Sequence, residues 1–201
     1  MKLIFIVCTL ISISVAANIT LAGNKNSALD AKIVKGLQSG EYAILLRHAL
    51  APGFSDPSHF DVNDCSTQRN LSAQGRQQAQ RIGELLKANG VQQAVVFSSQ
   101  WCRCVETARL LDLGEVSELL IANSFFQHPE RSSEQTRLIR EWLLKNKSLR
   151  NNKHLPPSIL VTHQVNISAL TDVFPSSGEL VIIEVNQFGK IFVVAQVETE
   201  N

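Results

Sequence analysis

Three short apolar runs in this chain each lead directly into side chains that can handle an anion. Tyr42–Leu46 (YAILL) leads into Arg47-His48, Ala94–Phe97 (AVVF) into Ser98-Ser99 with Arg103 just beyond, and Ser158–Thr162 (SILVT) into His163. Arginine offers paired N–H donors that match phosphate oxygens. An imidazole among cationic neighbours has a depressed pKa and stays neutral and nucleophilic at pH 7. A second imidazole, when protonated, can hold the charge that builds on a transferring phosphoryl group. Two histidines and two arginines in equivalent places therefore predict a functional anion site suited to phosphate. Arginine and imidazolium charge would there supply what a metal supplies elsewhere.

The site requires the three runs to be strands of one sheet, because ligands of open parallel sheets bind outside the strands' carboxyl ends. The intervening sequence fits that arrangement. Residues 50–70, with Pro52, Gly53, Pro57 and little periodicity, read as a long loop. Ser72 caps a helix running to about Asn89, with Ala79, Ile82, Leu85 and Leu86 on one face and Gly90 as its stop. A second helix spans about Trp101–Leu111, and its N-terminus adds free N–H groups to the anion site. Ser132-x-x-Gln135 resembles a capping box opening a third helix, on which Leu138, Ile139, Trp142 and Leu143 repeat at helical spacing. Pro156-Pro157 ends that connection, and a short helix follows the third strand at about Val165–Thr171. Leu180–Val185 and Lys190–Val194 close the chain as two strands around an Asn186–Gly189 turn. The alternation predicts an α/β layer fold with a mixed, mostly parallel sheet.

Composition agrees with one folded domain. The 201 residues are 44% hydrophobic and 18% charged, too apolar for a disordered chain. Nineteen basic against 18 acidic residues give a net charge of +1, with no basic stripe, which argues against a nucleic-acid partner. Met1-Lys2, the apolar stretch Leu3–Ala16 and small residues at Ser14, Ala16, Ala17 and Ala22 have the layout of a secretory signal. Residues 1–22 are read as that signal, with an uncleaved anchor as the alternative, and 23–201 as a single domain. The expected location is periplasmic or secreted, with no membrane association after signal removal. In an oxidising compartment Cys65 can pair with Cys102 or Cys104, leaving one thiol over; three buried thiols are the alternative.

The motifs LLRHA (45–49), NLSAQGRQQAQRIG (70–83), VFSSQWCRCVETARLL (96–111) and VTHQ (161–164) resemble, in order, those of the histidine phosphatase superfamily, which includes the cofactor-dependent phosphoglycerate mutases. The resemblance runs from Tyr42 to Val194. It implies a three-layer sandwich with helices on both sheet faces. It implies that His48 accepts the phosphoryl group as a phosphohistidine, that Arg47 and Arg103 clamp phosphate, and that His163 is the second pocket histidine. Arg69 either approaches the pocket or braces a loop. No cofactor is implied.

Three departures stand out. Ala49 replaces the usual glycine, Gln164 stands where relatives carry Asp or Gly, and the acid that protonates the leaving group has no clear position. Asp56, Asp61, Asp64, Glu130, Glu134 and Glu179 are the candidates, with Glu179 as the possible acid because it leads into a strand near the pocket. The insert Gly114–Ser133 carries Phe125-Phe126, which form either a pocket wall or core. His59, His128 and His154 read as solvated. The expected function is metal-independent hydrolysis of a phosphomonoester on a small molecule, glycan or protein. The alternatives are a non-catalytic phosphate- or phosphoglycan-binding protein and a phosphomutase. A metal hydrolase would need carboxylates to join His48 and His163. A cysteine phosphatase is disfavoured because none of Cys65, Cys102 or Cys104 has an arginine six positions on.

Overall fold

The computed structural model describes residues 29–153 and 155–199, so the signal expected at 1–22 and His154 lie outside the described residues. The elements are α1 (Ala31–Ser39), β1 (Tyr42–Arg47), α2 (Ala73–Ala88), β2 (Val95–Ser98), α3 (Cys102–Leu110), β3 (Val116–Glu118), α4 (Ser132–Lys153), β4 (Ser158–Thr162), α5 (Gln164–Thr171), β5 (Leu180–Val185) and β6 (Ile191–Val197). The six strands lie in the order β3-β2-β4-β1-β5-β6. The pairs β3–β2, β2–β4 and β4–β1 are parallel, and the pairs through β5 are antiparallel. The sheet is therefore mixed and mostly parallel. No helix among the described residues is long and apolar enough to cross a membrane.

Period-two alternation sorts each strand's side chains between two cores. Tyr42, Ile44 and Leu46 of β1 face α1, α2 and α3, where they meet Leu37, Ile82, Leu86 and Ala108. Leu45 faces the opposite side with Ile139 and Leu143 of α4 and Ile167 of α5. Each of the central strands β1, β4 and β5 is covered on both faces, which is why their sequences read as unbroken apolar runs. The three layers expected from the resemblance are present.

Helix α2 begins and ends as its sequence predicts. The Ser72 hydroxyl accepts from Gly75 N at 3.0 Å, and Gly90 follows the C-cap Asn89 with φ +87°. Gly75 also lets the helix approach the site: a Cβ there would stand 2.1 Å from the Leu50 carbonyl oxygen. Ser132-x-x-Gln135 does open α4, but Gln135 Nε2 donates to the Asn123 carbonyl, so the glutamine ties the preceding segment down. The Asn186–Gly189 turn closes β5 onto β6 with Asn186 Oδ1 accepting from Phe188 N at 2.9 Å and Lys190 N at 3.0 Å.

Two elements go beyond the sequence reading. Helix α1 packs Leu37 beneath the sheet between an Asp30 cap and Gly40 at φ +79°. Strand β3 is three residues at the sheet edge, inside the segment read only as an insert. Its sequence, Val-Ser-Glu, carries no apolar run, because an exposed edge strand needs none.

The disulfide joins Cys65 to Cys102, with Cα atoms 5.7 Å apart. Cys104 is free and buried. The helix decides between them: two residues turn a side chain by about 200°. Cys102, in the first turn, meets the long loop, while Cys104 points into the core below the sheet. A loop of this size gives stabilisation of about 4 kcal/mol in the chain-entropy model.

Candidate active site

Parallel register brings the predicted residues together. Arg47 pairs with Thr162 across β1–β4, and Ser98 pairs with Val161 across β2–β4. The next residue of each strand therefore emerges at the same edge: His48 N donates to Thr162 O at 3.0 Å, and Ser99 N to Val161 O at 2.9 Å. His48 and His163 end with ring centroids 5.5 Å apart. Helices α2 and α3 fix the turn after His48. Ala49 N donates to Thr107 Oγ1 at 3.0 Å, and Leu50 N to Gln78 Oε1 at 2.9 Å.

The hydrogen bonds define both tautomers. His48 Nδ1 lies 2.8 Å from the Ala49 carbonyl, which can only accept, so Nδ1 carries the proton. Nε2 is left with its lone pair, and Arg103 Nε donates to it at 3.2 Å. For His163, the Ser99 hydroxyl gives its proton to Asn123 Oδ1 at 3.1 Å and so accepts from His163 Nε2 at 2.9 Å. His163 Nδ1 therefore faces Arg103 Nη2 as an acceptor, at 3.5 Å. Both rings are buried, at 2% and 3% exposure. Burial lowers the pKa of each well below the ordinary histidine value, and Arg103 lowers it further, with Arg47 and Arg69 adding to the effect. The depressed pKa expected of one imidazole thus extends to both, and His163, expected to hold charge as an imidazolium, is instead neutral before a phosphoryl group enters.

Arg103 is the hub. It is 3% exposed, and Asp56 grips it at both terminal nitrogens: Nη1 to Oδ1 at 2.7 Å and Nη2 to Oδ2 at 3.1 Å. Arg47 Nη1 donates to Pro175 O at 2.8 Å, while its Nε is buried without a partner among the described residues. Arg69 does both things open to it. It lines the cleft, and it braces the loop through Nε to Ser55 O at 3.1 Å and Nη1 to Ala51 O. The cleft has a volume of about 1010 Å³, with Arg47, His48, Arg69, Arg103 and His163 in its lining.

Glu179 is placed differently from the other expected residues. It is buried, its Oε2 accepts from Ser176 N at 2.7 Å, and it is not part of the cleft lining. Asp56, Asp61, Glu130 and Glu134 do line the cleft. The Phe125-Phe126 pair divides: Phe125 is buried, and Phe126 lines the cleft in edge contact with Phe54, ring centroids 5.1 Å apart. His128 is exposed, but it also lines the cleft. Sequence reasoning gave Asp56 no part in holding Arg103. The partners stand 47 positions apart, one in an aperiodic loop, so no spacing signal exists. Cys104 lies 3.5 Å from His163 Nε2, and burial pushes its thiol up to about 12, so it stays protonated. Among the described residues no three His, Cys, Asp or Glu side chains gather as a metal-ligand set.

The neutral histidines make stability depend on pH. In the unfolded chain both imidazoles titrate near 6.5. Below that pH the unfolded chain binds more protons than the folded one, so stability falls as pH drops through about 6.5 toward the depressed folded values. Melting temperatures measured from about pH 8 down to about pH 5 are expected to decline, and His163→Asn to flatten that decline. An equal slope in the variant would refute the assignment of the effect to this ring.

The histidine phosphatase resemblance holds. The model of the histidine phosphatase superfamily (branch 1) matches residues 43–121. The fold is shared with solved structures of that group at low identity. The protein histidine phosphatase SixA complexed with tungstate is 15% identical with a TM-score of 0.57, covering 78% of this chain and 96% of its own. The mycobacterial glucosyl-3-phosphoglycerate phosphatase complexed with VO3 is 16% identical with a TM-score of 0.56, covering 75% and 95%. The phosphoserine phosphatase from Entamoeba histolytica is 13% identical with a TM-score of 0.56, covering 79% and 98%. No curated protein matches the chain in sequence.

Proposed function

We propose that the protein hydrolyses phosphomonoesters through a phosphohistidine on His48, with Arg47 and Arg103 holding the phosphoryl group, His163 joining them when a proton arriving with the phosphoryl group passes to its Nδ1, and Arg69 adding positive charge. The observation that carries this reading is the orientation of His48. Its Nδ1–H is committed to the Ala49 carbonyl, and its Nε2 lone pair faces Arg103 inside a buried cationic pocket. Nε2 attacks phosphorus, the bond to the leaving oxygen breaks, and that oxygen takes a proton. Water then attacks the phosphohistidine and passes a proton to the group that protonated the leaving oxygen, the P–N bond breaks, and inorganic phosphate and neutral His48 return. Three guanidinium groups supply the charge stabilisation that a metal supplies in other phosphatases. The proton for the leaving oxygen comes from the cleft side, where the carboxylates are, and not from Glu179.

The family match and the phosphatases among its structural neighbours support the reading. The cleft is wider than a phosphate and walled in part by Phe54, Phe60 and Phe126, which suits an organic leaving group on a small molecule, glycan or protein. The Cys65–Cys102 disulfide and the N-terminal pattern support export to the periplasm or beyond. The test is hydrolysis of p-nitrophenyl phosphate, then of a panel of natural phosphate esters, by the protein without residues 1–22 in EDTA. EDTA-resistant turnover is expected. Turnover lost to EDTA and restored by a divalent cation overturns the metal-independent mechanism. No turnover on any ester, with inorganic phosphate still raising the melting temperature, favours a phosphate-binding protein.

A further inference from the structure

We propose that Asp56 is a positioning residue for this reaction: by gripping the end of the Arg103 guanidinium, it turns the other edge of that group toward the two histidines. The inference rests on the hydrolase reading above.

A guanidinium has two edges that can each hold a pair of acceptors. The end edge, Nη1 with Nη2, is taken by Asp56 at 2.7 and 3.1 Å. The side edge, Nε with Nη2, faces His48 Nε2 at 3.2 Å and His163 Nδ1 at 3.5 Å. The two edges differ in strength. The contacts to Asp56 are short and between full charges. The contacts to the imidazoles are long and to neutral acceptors. A phosphoryl group entering between the histidines would take the side edge, exchanging two weak contacts for charge-assisted ones. That exchange also uncovers the His48 lone pair for attack, and the grip of Asp56 need not break.

Asp56 is itself fixed from several directions. Oδ1 accepts from Arg69 N at 3.1 Å, and Oδ2 from Trp101 Nε1 at 3.1 Å. Trp101 stacks on Phe60 with centroids 4.8 Å apart, and the next residue, Cys102, carries the disulfide. Gly53 at φ +96° and Ser55 at φ +63° bend the loop inward just before the carboxylate. The side chains of Arg103 and Asp56 are 4% and 9% exposed, so the pair is largely shielded from water.

Two further observations fit a positioning role. Burial raises the Asp56 carboxyl pKa, but the hydrogen bond and charge of Arg103, with Arg69 N and Trp101, outweigh it and hold the group below the usual carboxylate range. Both oxygens are occupied and unprotonated, so Asp56 is not the acid in this arrangement. Around the two neutral imidazoles the charges are those of Arg47, Arg69 and Arg103, and Asp56 offsets only part of them, which leaves the pocket positive toward a phosphomonoester.

The experiment compares Asp56→Asn, Asp56→Glu and the unaltered protein by steady-state hydrolysis of p-nitrophenyl phosphate across pH, with thermal melts. Asp56→Asn is expected to lower kcat about a hundredfold while changing KM little, as for a misaligned catalytic group. Asp56→Glu, which keeps the charge, restores part of kcat. The acid limb of kcat/KM reports His48, which is faced by Arg47 from β1, Arg69 from the loop, Arg103 from α3 and His163 before α5, with Asp56 behind Arg103. Removing the Asp56 carboxylate leaves the charge of Arg103 uncompensated beside that ring, so the limb moves to lower pH. A loop that merely collapsed would hydrate His48 and move the limb up. Unchanged kcat, or a limb that moves up, overturns the proposal. Should Asp56→Asn fail to fold, Trp101→Phe, which removes a single donor to Oδ2, is expected to lower kcat in the same sense, and unchanged kcat there overturns it. Absence of turnover in the unaltered protein would be a failure of the hydrolase reading instead. A crystal soaked in inorganic phosphate still decides the positioning question: phosphate on the side edge with the Asp56 pair intact supports it, and a broken pair refutes it.

Discussion

His48→Ala is expected to remove p-nitrophenyl phosphate hydrolysis by a factor on the order of 10⁴ or more, since loss of a nucleophile removes the covalent route entirely. The fold should survive. The ring's other bonds are to its own neighbour Ala49 and to Arg103, which Asp56 holds independently. A melting curve close to that of the unaltered protein would establish this. The same experiment has a positive arm. Brief exposure to labelled substrate should leave a phosphoryl group on the unaltered protein that is acid-labile and alkali-stable, as a phosphorus–nitrogen bond is, and none on His48→Ala. Residual turnover within tenfold of the unaltered rate, or a label that survives acid, would place the chemistry on another group.

The second large effect is at Arg103. Arg103→Ala takes the side edge from the phosphoryl site and leaves Asp56 buried without its cation. Removing one buried donor that stabilises developing charge costs about 10²–10³ in rate. Stranding a buried carboxylate costs stability of about 3–5 kcal/mol, as when a buried pair is broken from one side. Arg103→Lys separates the two losses. An ammonium satisfies the charge of Asp56 but cannot present one pair of donors to a carboxylate and another to phosphate. Its melting temperature is expected to recover most of the loss while kcat stays low. A lysine variant with ordinary kcat would show that charge alone, and not the two-edged geometry, is what the site uses.

The sequence read by itself determined more of the site than of its support. Arg47, His48, Arg103 and His163 were legible because each follows a local signal, an apolar strand or a helix start, and parallel register then forces strand ends to one edge. The runs that form β1, β4 and β5 were legible as strands for the same reason, since an apolar run is written in the identity of neighbouring residues. Helix α1 had the usual signals, Asp30 as cap, Ile33, Val34 and Leu37 on one face and Gly40 as stop, and stood beside the first strand in a stretch given no assignment. Strand β3 had none, because three residues at an exposed edge gain their place from pairing with β2 and not from their own burial.

Tertiary structure alone decided the rest. It chose Cys102 over Cys104 by the angle between helix positions, divided Phe125 from Phe126 between core and cleft, and kept Glu179 out of the cleft by giving its carboxylate to Ser176 N. It also brought Asp56 to Arg103 across 47 positions of chain. The physical reason is common to these cases. A strand or helix carries its periodicity in adjacent residues, whereas a loop contact is set by where two distant backbones end. That is fixed only when the disulfide, the bends at Gly53 and Ser55 and the packing of Trp101 on Phe60 are all in place.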